Sequence, residues 1–119
     1  MGDTAKGWDG EMVCAWLERR IAAARVDQIA ADRKGYSAHD DYDKAAAEEW
    51  ACRAVQAAAR KGDQATVAAR LKDLLGQDDY PATGAHDDRR FERHIRAYLR
   101  KLAKMTKANA GFDNALHYQ

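Results

Sequence analysis

Histidines followed directly by aspartate are the first feature of this sequence that could do chemistry. The two pairs are His39-Asp40 and His86-Asp87, and a further histidine, His94, lies at the edge of the apolar face of the last predicted helix. Imidazole and carboxylate groups are common protein ligands of zinc. A metal site between helices is therefore one hypothesis for function.

The two dipeptides resemble the paired His-Asp motif of metal-dependent phosphohydrolases, which are also all-α proteins. The resemblance implies a metal-dependent hydrolase that uses His39 and His86. It covers only the two dipeptides, because that family's pattern has a further histidine before the pair and an aspartate well beyond it, in a chain longer than these 119 residues. We keep this function as the second alternative and assign no metal ligand and no cofactor.

Patterns for nucleophilic catalysis or nucleotide binding are absent from the sequence. Ser37 and Thr83 are near a histidine, but both stand where a turn or a helix cap is expected. There is no Gly-x-Ser-x-Gly motif, phosphate-binding glycine loop or dinucleotide fingerprint. Glu48 and Glu49 are adjacent on a predicted helix and point about 100° apart, so they do not form a shared acid-base site. We predict that the protein is not an enzyme.

The strongest feature is the charge of the last predicted helix. Between Arg89 and Lys107 there are eight basic side chains and one acid, whereas residues 1–88 hold 12 basic and 17 acidic side chains, so the net charge of +1 conceals a strong separation. Helical spacing places six of these cations on the face opposite the apolar seam, where they should point outward. The predicted binding residues are Arg89, Arg93, Arg96, Arg100, Lys104 and Lys107.

A solvated helix face usually mixes charges of both signs, and this one does not, which favours an acidic partner. Three partners stay open: an acidic protein surface, the phosphates of a nucleic acid, and the acidic remainder of the same fold or of a second copy of the chain. No aromatic residue interleaves with the arginines, so stacking on single-stranded bases has no support. Binding to phosphates would be salt-sensitive and weakly sequence-selective.

The elements that must position these residues are helices, because alanine is frequent and the sequence contains one proline. Apolar residues at three- and four-residue spacing predict helices over 9–32, 37–61, 63–75 and 87–109, with a loop at 76–86 and a tail at 111–119. The tail is expected either to dock through Phe112, Leu116 and Tyr118 or to be mobile.

Capping residues define these bounds. Asp9 and Asp63 are predicted N-caps, and Ser37 with Asp40 forms a predicted capping signal for the second helix. Gly62 is expected to adopt the left-handed conformation that ends that helix. The tetrapeptide Ala-His-Asp-Asp occurs at two of these helix starts, and we interpret the two copies as independent signals because acids stabilise the first turn of a helix.

The predicted core is thin. Trp50 is the one large residue among alanines on the inner face of the second helix. Arg20 on the first helix faces the region of Glu49 across an antiparallel hairpin, and we expect a structural ion pair there in preference to a functional arginine. A thin core is often completed by a partner, so a homo-oligomer is a further candidate. Cys14 and Cys52 are predicted to be free thiols, because their spacing suits neither zinc nor a disulfide.

We therefore predict an all-α, compact antiparallel bundle of about four helices in one domain, 1–119. No run of residues is apolar enough for a membrane span or a signal peptide, which predicts a cytoplasmic protein. The favoured function is a non-catalytic binding module that docks onto a protein partner, with nucleic-acid binding through the basic last helix as the first alternative. Such charge-segregated domains are typical of accessory or inhibitor proteins of phages and mobile elements, an analogy at the level of fold alone.

Overall fold

The fold is built from helices. The computed structural model describes residues 8–81, 84–108 and Phe112, and these contain helices and no β-strand, which confirms the all-α prediction. The described residues form four helices, or three if the first two, which a 3-10 turn joins, are counted as one. The elements are α1 (Gly10–Lys34), the 3-10 turn (Gly35–Ala38), α2 (His39–Arg60), α3 (Gln64–Leu75) and α4 (Asp88–Ala108).

Aspartate side chains cap three of these helices. The carboxylates of Asp9, Asp63 and Asp87 each accept a backbone N–H from the turn that follows, at 2.7 to 3.0 Å. Gly62, just beyond α2, has φ +90°, as its predicted role at the end of that helix requires. The predicted caps at Asp9 and Asp63 are therefore confirmed.

The second helix begins at His39, two residues beyond the predicted start near Ser37, and the predicted cap at Ser37 is wrong. Ala38 occupies the N-cap position with φ −110° and ψ 18°, and it makes no side-chain hydrogen bond. The backbone N–H of His39 donates to the carbonyl of Tyr36 in the 3-10 turn, so it does not need a hydroxyl as acceptor. The interruption lies at Gly35, whose φ of +80° ends α1 two residues beyond the predicted bound at 32.

The helices α1 and α2 run antiparallel. Arg20 of α1 lies 3.0 Å from Glu48 of α2, and Gly10 at the start of α1 lies against Gly62 beyond the end of α2. The predicted ion pair of Arg20 in the region of Glu49 is confirmed, with Glu48 as the partner.

The helix α4 runs parallel to α2. Asp43, near the start of α2, contacts Arg90 near the start of α4 at 2.8 Å, and further along Cys52 contacts Tyr98 at 3.8 Å. A parallel pair places both positive helix N-termini at the same end of the molecule.

The helix α3 runs antiparallel to α4. The amide of Gln64 donates to the carbonyl of Thr106 at 2.6 Å, and the guanidinium of Arg96 donates to the carbonyl of Leu75 at 3.3 Å. The helix α4 thus packs mainly against α2 and α3, while α1 packs along α2.

The core lies where α2 meets its neighbours. Cys52 and Val55 are its buried residues of medium size, whereas Trp50, predicted as the anchor of this face, is half-buried and packs edge-on against Tyr80 at 5.6 Å. The molecule measures 51 × 32 × 19 Å, so its thickness is about two helix diameters. The largest fully buried side chains are Trp16, Leu17, Leu71, Leu74, Ile95, Leu99 and Leu102.

Phe112 is buried beyond the end of α4. Its ring packs edge-on against Trp8 and Trp16, with centroids 5.9 and 5.2 Å apart. The predicted docking of the tail through Phe112 is confirmed, and Leu116 and Tyr118 lie outside the described residues.

Candidate binding surface

The outer face of α4 carries five exposed cations. Apolar residues at helical spacing turn the opposite face toward α2 and α3, so these five side chains point into solvent. None of them forms an ion pair with a carboxylate of residues 8–81, 84–108 or 112. We call this set the basic face, and it consists of Arg89, Arg93, Arg100, Lys104 and Lys107.

Arg96 is the predicted binding residue that does not point outward. Its guanidinium pairs with Glu92 at 3.2 Å, donates to the carbonyl oxygens of Leu75 and Gln77 at 3.3 and 3.0 Å, and lies 4.9 Å from the ring centroid of Tyr80. These contacts hold the end of α3 and the following loop against α4. A helical wheel places Arg96 near the basic face but contains no information on where that loop passes.

Arg90, on the opposite side of α4 from Arg96, is also paired. Its guanidinium lies 2.8 Å from a carboxylate oxygen of Asp43, which also accepts the backbone N–H groups of His86 and Asp87 at 2.8 and 3.1 Å. The side chain of Asp43 is fully buried. A buried carboxylate here neutralises both the arginine and the positive end of α4.

A groove between α3 and α4 runs beside the basic face. It has a volume of about 600 Å³. Leu71 and Thr106 are buried, Leu75 is half-buried, and the two charged residues of the lining are Lys72 and Lys107. The other lining residues are Gln64, Ala65, Ala68 and Ala103, so the described lining contains no acid.

Glu49 belongs to a separate cluster on α1 and α2. It accepts hydrogen bonds from Gln28 at 2.8 Å and from Arg53 at 2.7 Å. Burial acts to raise the pKa of Glu49, but these hydrogen bonds and the neighbouring arginines outweigh burial, so the pKa lies below its ordinary value. This carboxylate is committed to contacts within α1 and α2 and does not pair with the basic face.

The histidines of the hydrolase alternative do come together. The rings of His39 and His86 are stacked, with centroids 3.8 Å apart and planes 5° from parallel. Two imidazoles that bind one zinc ion need ring nitrogens about 2.0–2.1 Å from it, in planes that converge on it. Parallel planes do not converge, and no group of three or more metal-ligating side chains occurs in the described part of the chain. The geometry does not favour a metal centre.

The third histidine of this end of the molecule forms an ion pair or hydrogen bond with an acid. His94 Nε2 lies 2.9 Å from a carboxylate oxygen of Asp40. The hydrogen bond from His94 holds the pKa of Asp40 below its ordinary value. The contact ties α4 to α2 beside the stacked rings.

Comparison with protein-family models, with curated proteins and with solved structures finds no match to this chain. Among the helices that the structure describes, none is both long and apolar enough to cross a membrane.

Proposed function

We propose that the protein is a non-catalytic binding module that docks an acidic protein partner onto the basic face of α4. The observation that carries this proposal is the division of the cations on α4. Arg90 and Arg96 turn toward the fold and are paired there, and Lys101 lies over the ring of Tyr98, 5.6 Å from its centroid. The five cations of the basic face have no described acidic partner. Clustered charges of one sign attract an oppositely charged surface and steer its approach.

A protein partner is favoured over a nucleic acid because of the neighbouring groove. Phosphates would satisfy the cations but would leave the accessible apolar side chains of Ala68, Leu75 and Ala103 in the groove uncovered. Protein interfaces combine an apolar centre with a polar rim, which is the combination present between α3 and the basic face. Nucleic-acid binding remains the alternative.

The proposal is tested by differential capture. The wild-type protein, an Arg93→Glu/Arg100→Glu/Lys104→Glu variant, and a control variant carry the same tag, and each is cross-linked to its surroundings in native cells. The control reverses as many charges at exposed cations that form no described ion pair, at Arg19, Arg33 and Lys61.

We expect protein partners that are captured by the wild type and the control, lost from the α4 variant, and unaffected by nuclease. Loss on nuclease treatment would support nucleic-acid binding instead. Capture that is the same for all three proteins would contradict a role for the basic face.

A further inference from the structure

We infer that the groove between α3 and α4 binds an amphipathic helix whose flanks are acidic. This inference rests on the proposed function and specifies the partner's chemistry. It depends on the length, the depth and the charge of the groove.

The length of the groove fits a helical ligand. Gln64, Ala68, Leu71 and Leu75 line it at spacings of four, three and four residues, which is one straight stripe along α3. At 1.5 Å per residue the stripe is about 16 Å long, or three helical turns. An amphipathic ligand with apolar anchors at i, i+3 or i+4, and i+7 covers two turns, so it fits within this length.

The depth of the groove allows a close approach. Its floor is formed by Leu71 and Thr106, whereas Ala68 and Ala103 on its two sides project only a methyl group each. Side chains of this size permit the interaxial distances of about 8–10 Å at which helices pack.

Hydrogen bonds fix the positions of the two helices that form the groove. The hydrogen bonds from Gln64 to Thr106 and from Arg96 to Leu75 join α3 to α4 near both ends of the lining. A ligand therefore meets helices that are already positioned, which reduces the entropic cost of binding.

The charge of the groove selects the flanks of the ligand. Lys72 stands on the α3 side and Lys107 on the α4 side, and Lys107 continues into the basic face. If the apolar stripe of a ligand helix packs over Leu71, the residues on either side of that stripe lie next to Lys72 and Lys107. Acidic residues at these positions would be attracted and basic residues repelled.

A second copy of this chain does not fit the groove. An interface between two identical grooves would oppose lysines to lysines. The exposed large apolar residues that another copy could insert are Val26 and Ile29 on α1 and Tyr36 in the 3-10 turn. Val26 and Ile29 have charges of both signs beside them, from Arg25, Asp27, Asp32 and Arg33, so they do not present acidic flanks. An extended strand has no sheet edge to join in the described residues, and a polyproline segment needs aromatic side chains that the described lining lacks, so a helix is the favoured form of ligand.

The test uses a synthetic helical peptide of 16 residues with leucine at i, i+3 and i+7 and glutamate on both flanks. One control peptide has the same composition in an order that places no two leucines on one face. A second keeps the leucines and replaces every glutamate with lysine. Binding is measured by fluorescence anisotropy, and its location by NMR shifts of the methyl groups of Ala68, Leu75 and Ala103.

Protein variants isolate the groove from general charge. Ala68→Glu places a carboxylate in the groove, and Ala69→Glu makes the same change at the next residue of α3, which is exposed and does not line the groove. We expect the acidic amphipathic peptide to shift the three methyl groups and to bind about 10-fold more weakly to Ala68→Glu, with a change within about twofold for Ala69→Glu.

Two results would overturn the inference and leave the proposed function standing. One is equal binding of the scrambled acidic peptide with shifts confined to the basic face, which means binding to acids without the groove. The other is no binding of the amphipathic peptide while capture of protein partners still depends on the basic face. Equal binding of the lysine peptide would also overturn it. The proposed function itself would be contradicted by a different result, in which the wild type and the α4 variant capture the same protein partners.

Discussion

The imidazole rings of His39 and His86 stack at 3.8 Å although the two residues are 47 positions apart. Each belongs to an Ala-His-Asp-Asp segment, at residues 38–41 and 85–88, that precedes or opens a helix. The segments meet because α2 and α4 are parallel neighbours, so their first turns lie at the same end of the molecule. The repeated tetrapeptide thus corresponds to one structural feature, a joint between two helix starts.

The stack is expected to contribute to stability as an aromatic contact. His86→Ala should lower the free energy of unfolding by about 1 kcal/mol, whereas His86→Phe keeps a flat ring and should cost less than half as much. Urea unfolding followed by circular dichroism measures both. Equal losses for the two variants would show that the ring contact is not what stabilises the joint.

Metal removal is expected to have no effect on this joint. Dialysis against EDTA should leave the urea midpoint unchanged, because stacked rings do not direct their nitrogens at a common point. This prediction would be contradicted if the urea midpoint of the wild type fell on dialysis and rose again with zinc, while the midpoint of His39→Phe changed with neither treatment. That result would support the hydrolase alternative.

Asp43 is expected to be the most sensitive polar residue. Asp43→Ala should destabilise the fold by about 3 kcal/mol, because it leaves the N–H groups of His86 and Asp87 and the guanidinium of Arg90 without their shared acceptor. Asp43→Asn keeps one acceptor oxygen and should lie between the wild type and Asp43→Ala. Asp41→Ala, an exposed change on the same helix, serves as the control, with an effect within about 0.5 kcal/mol. Similar losses at positions 41 and 43 would contradict the assigned role.

Two glycines are expected to respond in opposite ways to substitution by alanine. A Cβ at Gly10 would lie 2.7 Å from the Cα of Gly62, so Gly10→Ala should destabilise the protein by about 1–3 kcal/mol despite the better helix propensity of alanine. A Cβ at Gly76 has no neighbour closer than 3.5 Å and the residue has φ −84°, so Gly76→Ala should be neutral or stabilise by up to about 1 kcal/mol. Thermal unfolding of both variants checks the pair, and a stable Gly10→Ala would mean that the helices separate there at little cost.

The two thiols should react at different rates. Burial raises the pKa of Cys52 to about 11, while Cys14 is partly exposed and its pKa is raised by partial burial. At pH 8 iodoacetamide should modify Cys14 first, and in urea it should modify both, as peptide mass spectrometry can show. The raised pKa of Cys52 also implies stability that is lost above the ordinary value of 9.0, because the unfolded chain then releases a proton that the folded chain retains. Modification of Cys52 at the rate of Cys14 in native buffer would contradict its burial.

Acid should weaken the helix caps. Hydrogen bonds from Thr66 lower the pKa of Asp63 below its ordinary 3.8, so this carboxylate stabilises the fold above that value and the stabilisation is lost as the pH falls through the lower, folded pKa. Asp63→Asn keeps a capping acceptor without a titrating group. Its free energy of unfolding should fall less than that of the wild type as the pH is lowered past 3.8. Parallel curves for the two proteins would contradict the assignment.

Helix ends were predictable from the sequence where the determining contact is local. The caps at Asp9 and Asp63 bond to N–H groups two or three residues away, and the positive φ of Gly62 follows from its place after a helix. The 3-10 turn before α2 was not predictable in this way. In this turn the carbonyl of Tyr36 accepts the N–H of His39, so Ser37 does not cap α2 as predicted.

The basic face was also predictable only where local helical geometry decides the direction of a side chain. Five of six cations on α4 point outward because the helical period alone decides it, but Arg96 depends on a loop 18 to 21 residues earlier in the chain. Asp43 was missed as a buried residue because its partners lie 43 to 47 residues later. The available signal was a single acid on the predicted alanine-rich face of α2, which indicates a buried, paired carboxylate.

The parallel arrangement of α2 and α4 also constrains the order of folding. Contacts within the α1–α2 hairpin can form once the chain has been synthesised to Gly62, whereas α4 can dock only after α3 and its loop have carried the chain back along the length of the molecule. Until then the face of α2 that bears Cys52 and Val55 is open to water. A nascent or truncated chain that stops before Asp88 is therefore the species most exposed to aggregation or chaperone capture.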